Sequence, residues 1–183
     1  MKKTVLTYGL VSGLMISVLM DSSLLLANKI GSGHSMLLGY TIMVASFLLV
    51  YFGIRSYRDN DLGGQISFGR AFACGFLITL ITTVCYVATW EVLYFKFMPH
   101  FMDSYFAAQI HQAQASGLDP ATTAAKVAEI QHGQQLYQNP FVNMAYTFIE
   151  PLPVGLIITL LSATVLRRKA PAEPTAASAV IPT

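Results

Sequence analysis

The chain has 183 residues, 54% of them hydrophobic and only 11% charged. Soluble domains average roughly 25% charged residues, and eleven basic plus nine acidic side chains cannot cover a water-facing exterior. A net charge of +2 likewise excludes the basic footprint of a nucleic-acid binder.

The first apolar run extends from Thr4 to about Ala27, behind Lys2 and Lys3. It exceeds a signal-peptide core of roughly 7–15 residues, and cleavage after Ala27 would put Leu25 where a small residue is needed. It therefore reads as a retained anchor. Gly9 and Gly13 are spaced as GxxxG, with Ser17 one turn on, a pattern that lets helices approach closely in lipid. Asn28 to His34, with Gly31 and Gly33, reads as a tight turn into a second apolar run, Ser35 to Ile54. Arg55 to Gly64 then forms a polar connection. Its Asp59, Asn60 and Asp61 invite a calcium reading, but Leu62 and Gly63 break the ligand spacing, which leaves a solvated turn.

The third run spans about Phe68 to Phe97. Cys74 and Cys85 lie 11 residues apart within it, about 16 Å along a helix, too far for a disulfide and consistent with packing thiols. Gly75, Thr79 and Thr83 repeat the small-residue spacing, and Trp90 and Tyr94 resemble an interfacial aromatic belt.

The polar stretch 98–140 carries the signals of a helical hairpin. One helix is expected over His100–Ala115, ended by Gly117. A second is expected from Asp119-Pro120, an N-cap followed by proline in the first turn, to about Tyr137, before Asn139-Pro140. The fourth run covers Phe141 to Leu166. From residue 170 the chain turns to small and Pro-rich composition, which predicts a disordered tail over 170–183.

Runs of about 20 residues match a hydrocarbon core of about 30 Å, and none alternates with period two as a membrane barrel requires. The expected fold is all-α: a polytopic membrane protein with one domain over residues 1–169. Its four spans lie at about 4–27, 35–54, 68–97 and 141–166, with an extracytoplasmic hairpin over about 98–140. Lys2, Lys3, Arg55, Arg58, Arg70, Arg167, Arg168 and Lys169 fall on one side of this topology, against Lys29, Lys96 and Lys126 on the other. That asymmetry predicts cytoplasmic N- and C-termini.

Three carboxylates fall at one depth. Asp21 lies about 25 Å beyond Thr4, Glu150 about 25 Å from Arg167, and Glu91 about 30 Å beyond Ala71, by helical rise. His34 belongs to the same layer. These four residues are the candidate cluster for a proton, a metal ion or a small polar ligand; the alternative is separate interfacial residues, or a polar contact that locks the helices. Pro151 and Pro153 remove two backbone donors inside the fourth span, and Gly155 loosens the following turn, so a kink is expected there. Gly9, Gly13 and Gly75 are the expected helix-packing positions, within the chain or in a dimer. His100, His111 and His132 match no ligand signature. No phosphate loop, nucleophile elbow, catalytic dyad or cofactor motif is visible, so the chain reads as non-enzymatic and cofactor-free.

Several segments together resemble one bacterial family of four-pass membrane proteins, domain-of-unknown-function family 4199. They are Lys3-Thr-Val-Leu-Thr-Tyr-Gly-Leu10, Gly33-His-Ser-Met36, Tyr57-Arg-Asp59, Gly63-Gly-Gln-Ile-Ser-Phe-Gly-Arg-Ala-Phe72, Trp90-Glu91, Glu150-Pro-Leu-Pro-Val-Gly155 and Leu166-Arg-Arg-Lys169. The resemblance implies a membrane protein of this topology in the bacterial cytoplasmic membrane, and no activity. The expected partners are the lipid bilayer, a protein met through the outer hairpin, and a second copy of the chain. A small carrier or a proton- or metal-binding protein centred on His34, Glu91 and Glu150 is the alternative reading.

Overall fold

The computed structural model describes residues 1–30, 32–98 and 100–168, with backbone alone for 24–30 and 32–36. The side chain of His34 and the expected tail over 170–183 lie outside the described residues.

Apolar runs without strong breakers become long helices. α1 spans Lys2–Ile30, α2 Ser32–Ser56 and α3 Phe68–Val92; α2 and α3 each end in a wider π turn, Tyr57–Asp61 and Leu93–Phe97. The helices α4 (Phe101–Gln114) and α5 (Pro120–Tyr137) follow, and then α6 (Pro140–Ile149) and α7 (Pro151–Leu166). Four stretches are long and apolar enough to cross a membrane: Lys2–Ser23, Leu37–Asp61, Phe68–Phe97 and Pro140–Leu166. This is a multi-pass membrane protein. The only extended pairing among the described residues is a single antiparallel bridge, Ile66 with Arg168.

One expected turn is mostly helix. Helical backbone continues to Ile30 and resumes at Ser32, so the Asn28–His34 segment keeps helical geometry on both sides of residue 31. Lone Asn and Gly residues lower helix propensity by about 1 kcal/mol or less each, which long flanking helices override.

The chain punctuation between α3 and α6 acts locally. Gly117 takes the left-handed conformation at φ +70°, and Asp119 accepts hydrogen bonds from the backbone N–H groups of Ala121 (3.1 Å) and Thr122 (3.0 Å). Hydrogen bonding to Thr122 holds the Asp119 carboxyl below the usual carboxylate range. Asn139 caps α6 the same way, accepting from Phe141 N at 3.0 Å.

α3 is the axis, packing against α1, α2, α6 and α7. Close approach is possible because one partner at each contact lacks a side chain. A Cβ placed on Gly13 would stand 2.6 Å from the Cys85 sulfur, one on Gly9 would stand 2.9 Å from Ile81, and one on Gly75 would stand 2.8 Å from Thr159 and Ile54. Gly155 works the same way. It lies inside α7, where an added Cβ would collide with Thr79 and reach within 2.9 Å of the Phe47 ring. The glycine thus tightens a seam, rather than loosening the turn after the prolines.

Pro151 and Pro153 remove two N–H donors from the fourth crossing, while the backbone at Glu150 keeps helical dihedrals, φ −64° and ψ −55°. α6 ends at Ile149, Glu150 stands between, and α7 restarts with Pro151 in its first turn, a position that needs no N–H.

Gly155→Val should therefore destabilise the protein by about 1–3 kcal/mol through overpacking. Gly39→Val, where an added Cβ meets nothing within 4 Å, should cost far less. Reversible unfolding in detergent compares the two, and equal losses would contradict the close packing of Gly155.

Candidate functional site

Thr79, Thr83, Tyr86 and Trp90 recur at intervals of four, three and four, which puts them on one stripe of α3. All four are buried. The Thr79 and Thr159 hydroxyls hydrogen-bond at 3.0 Å, and Thr79 also lies 3.4 Å from the Gly155 carbonyl. Higher on the stripe, the Tyr86 hydroxyl donates to Glu150 Oε2 at 3.1 Å. One turn further, Trp90 Nε1 is shared between Asn143 Oδ1 (3.2 Å) and the Tyr137 hydroxyl (3.0 Å).

Asn143 organises that upper end. It is fully buried, and its Oδ1 also accepts from the Thr147 hydroxyl at 3.2 Å, while its Nδ2 donates to the Tyr137 carbonyl at 3.4 Å. Aromatic rings close around it: Trp90 stacks on Tyr94, meets Phe101 edge-on at 5.9 Å, and Tyr137 meets Tyr94 edge-on at 5.6 Å. Burial raises the Tyr137 hydroxyl above its usual pKa, so it stays a neutral acceptor and donor. The network seats the α4–α5 pair on the ends of α3 and α6. Sequence reading missed Asn143, whose only signal is one amide in an apolar run.

The four cluster candidates are disposed as follows. Glu150, at the α6–α7 break, is itself exposed on the protein surface and reaches inward to Tyr86. Ser17 and Thr89 hydrogen-bond across the α1–α3 seam at 2.7 Å. Asp21 follows Ser17 by one turn and Glu91 follows Thr89 by two residues. Asp21 Oδ1 and Glu91 Oε1 are both buried without a hydrogen-bond partner among the described residues. No hydrogen bond joins Asp21, Glu91 and Glu150 there, and no group of three His, Cys, Asp or Glu is placed to hold a metal. His34 lies in α2, and its side chain is outside the described residues.

The opposite end holds a second arrangement that the sequence reading passed over. Arg58 belongs to the polar connection after α2, yet only 7% of it is exposed. Its Nε and Nη2 donate to Asp59 Oδ1 (2.7 Å) and Oδ2 (3.1 Å), a two-pronged pair, and Nη1 donates to the Leu166 carbonyl at 3.3 Å. A cation at the carbonyl end of α7 opposes the negative end of the helix dipole. The Ile66–Arg168 bridge, with N–H···O distances of 3.1 and 3.0 Å, closes the same corner. Asp59 and Asp61 remain substantially exposed, as the turn reading requires.

A family model described as "Protein of unknown function (DUF4199)" matches residues 7–168. The chain belongs to that family. No curated protein and no solved structure matches it. The matched stretch takes in both the Asn143 network and the Arg58 corner, so each belongs to the family's domain rather than to an appended segment.

Asn143→Leu leaves the Trp90 N–H and the Thr147 hydroxyl short of an acceptor, a loss of about 1–3 kcal/mol. Tyr137→Phe removes only one of two acceptors and should cost less. Unfolding in detergent, with amide exchange over Gln135–Gln138, measures both; faster exchange there under Asn143→Leu is the expected outcome.

Proposed function

We propose that this protein is a non-enzymatic component of the bacterial cytoplasmic membrane, which presents the α4–α5 pair on the outer face as a docking surface for a partner protein. The observation that carries this reading is the contrast within α5. None of its residues is buried against the rest of the chain, yet its last residue, Tyr137, is held by Trp90, Tyr94 and Asn143. A helix that packs on α4 along one side, has no buried residue and is anchored at its end leaves its other side free to contact something else. Its exposed side carries Ala121, Ala125 and Ala128 at near-helical spacing, flanked by Lys126, Gln131 and Gln135. Small side chains admit close helix approach, and the amides supply adaptable hydrogen bonding.

The side of the membrane follows from charge. Lys2, Lys3, Arg55, Arg58, Arg70, Arg167 and Arg168 belong to the end opposite the hairpin, and the positive-inside tendency makes that end cytoplasmic. The second reading, a small carrier or a proton- or metal-binding protein using His34, Glu91 and Glu150, draws its support from the buried unpaired oxygens of Asp21 and Glu91.

A photo-crosslinking residue placed at Lys126 or Gln131 in living cells should yield one discrete protein adduct. The same residue at Val84, an exposed apolar position within the third crossing, should yield none. Asn143→Leu should diminish the α5 adduct by loosening its mount. Equal labelling at all three positions would remove the basis for a docking surface.

A further inference from the structure

We propose that the break between α6 and α7 binds one sodium-sized cation, held by the Glu150 carboxylate with the hydroxyls of Tyr86 and Thr83. This site is separate from the hairpin surface and stands or falls without it.

Thr83 supplies the independent observation. It is completely buried, and its hydroxyl has no hydrogen-bond partner among the described residues. Threonines inside helices ordinarily give that proton to the carbonyl four residues back, as Thr82 does to Ile78 at 2.9 Å and Thr89 does to Cys85 at 2.9 Å. Its neighbours fix where it points. Thr79, one turn below on the same stripe, touches Gly155 and Thr159 of α7, and Tyr86, one turn above, touches Glu150. Thr83 therefore faces the stretch between Glu150 and Gly155, where Pro151 is also fully buried.

That stretch is rich in uncommitted oxygen. Pro151 and Pro153 have no N–H, so the carbonyls of Thr147 and Ile149 lose the donors an unbroken helix would supply. Glu150 precedes α7 as its cap residue but makes no capping hydrogen bond, and Tyr86 occupies only one of its two oxygens. Carbonyls that lack their helical donors inside a membrane crossing are available to coordinate alkali cations.

The donor set selects the ion. All the groups are hard oxygens, which suit alkali and alkaline-earth cations over transition metals. A single carboxylate balances a single positive charge, whereas a divalent ion would leave the site charged in a low-dielectric setting. A proton on Glu150 would need one acceptor and would leave the Thr83 hydroxyl unused, while a coordinated cation uses the several oxygens at once.

Trp90 is the chain's one tryptophan and is bonded to Asn143 of α6, so its emission reports on the segment beside the break. The full-length protein, in nanodiscs, is titrated with NaCl against choline chloride at constant ionic strength and pH. A saturable change in Trp90 emission and a higher Tm are expected with sodium only. Glu150→Gln and Thr83→Val should each weaken the apparent sodium affinity about tenfold or more, while Thr83→Ser keeps the hydroxyl and the response. Equal effects of choline and sodium would overturn the proposal, as would a Thr83→Val protein that responds like the parent, or a signal that follows pH and ignores sodium. Should Glu150→Gln fail to fold, the Thr83→Val and Thr83→Ser pair decides.

Discussion

In a bilayer the lipid tails are as apolar as leucine, so burying apolar side chains between helices gains little over leaving them in lipid. The rest of this structure depends on that constraint. What holds the crossings together must be close packing and interhelical hydrogen bonds, and both are gathered on α3. Its glycine-matched contacts bring α1, α2 and α7 close, and its stripe of Thr79, Tyr86 and Trp90 supplies a hydrogen bond to α7, to the break and to α6 in turn. The large apolar residues that a soluble protein would bury, such as Leu14, Leu37, Leu161 and Val165, instead stay on the outside.

The two ends are closed by different means because they meet different surroundings. At the basic end, charge is used: Arg58 is paired with Asp59 and turned onto the last carbonyl of α7, that of Leu166. A buried guanidinium is costly unless every direction is satisfied, and here Nε, Nη1 and Nη2 each have an acceptor. At the hairpin end, aromatic faces and one buried amide make the closure. The division places the Arg58–Asp59 pair at the opposite end of the helices from the Asn143 network.

Much of this was legible in the sequence, for identifiable reasons. The crossings emerge from hydropathy, which is set by composition over some twenty residues and needs no knowledge of neighbours. Asp119-Pro120 and Gly117 act within one turn, so their local chemistry predicts the helix boundaries around them. Asn143 was not legible, and Thr79 and Arg58 only as a packing position and a basic anchor, because their partners are residues of another helix. Asn143 has no periodic signal, and Arg58 looks like any basic anchor until the carbonyl of Leu166, 108 positions away, is brought to it. Gly155 shows the same limit: beside two prolines it reads as a loosening residue, and only the position of Phe47 and Thr79 reveals a packing one. The layer of Asp21, Glu91 and Glu150 came from depth alone. Depth cannot tell that Glu150 turns to Tyr86 while Asp21 and Glu91 each keep a buried oxygen without a hydrogen-bond partner among the described residues.

The claim that polar contacts on α3 lock the crossings is tested most directly by a double-mutant cycle on the buried Thr79–Thr159 pair. Thr79→Val, Thr159→Val and the double variant are unfolded reversibly in detergent. The account predicts a coupling energy of about 0.5–1.5 kcal/mol, the range of interhelical hydrogen bonds in membranes. Strictly additive losses would show that the hydroxyl pair is incidental, and that shape alone holds the fourth crossing to the third.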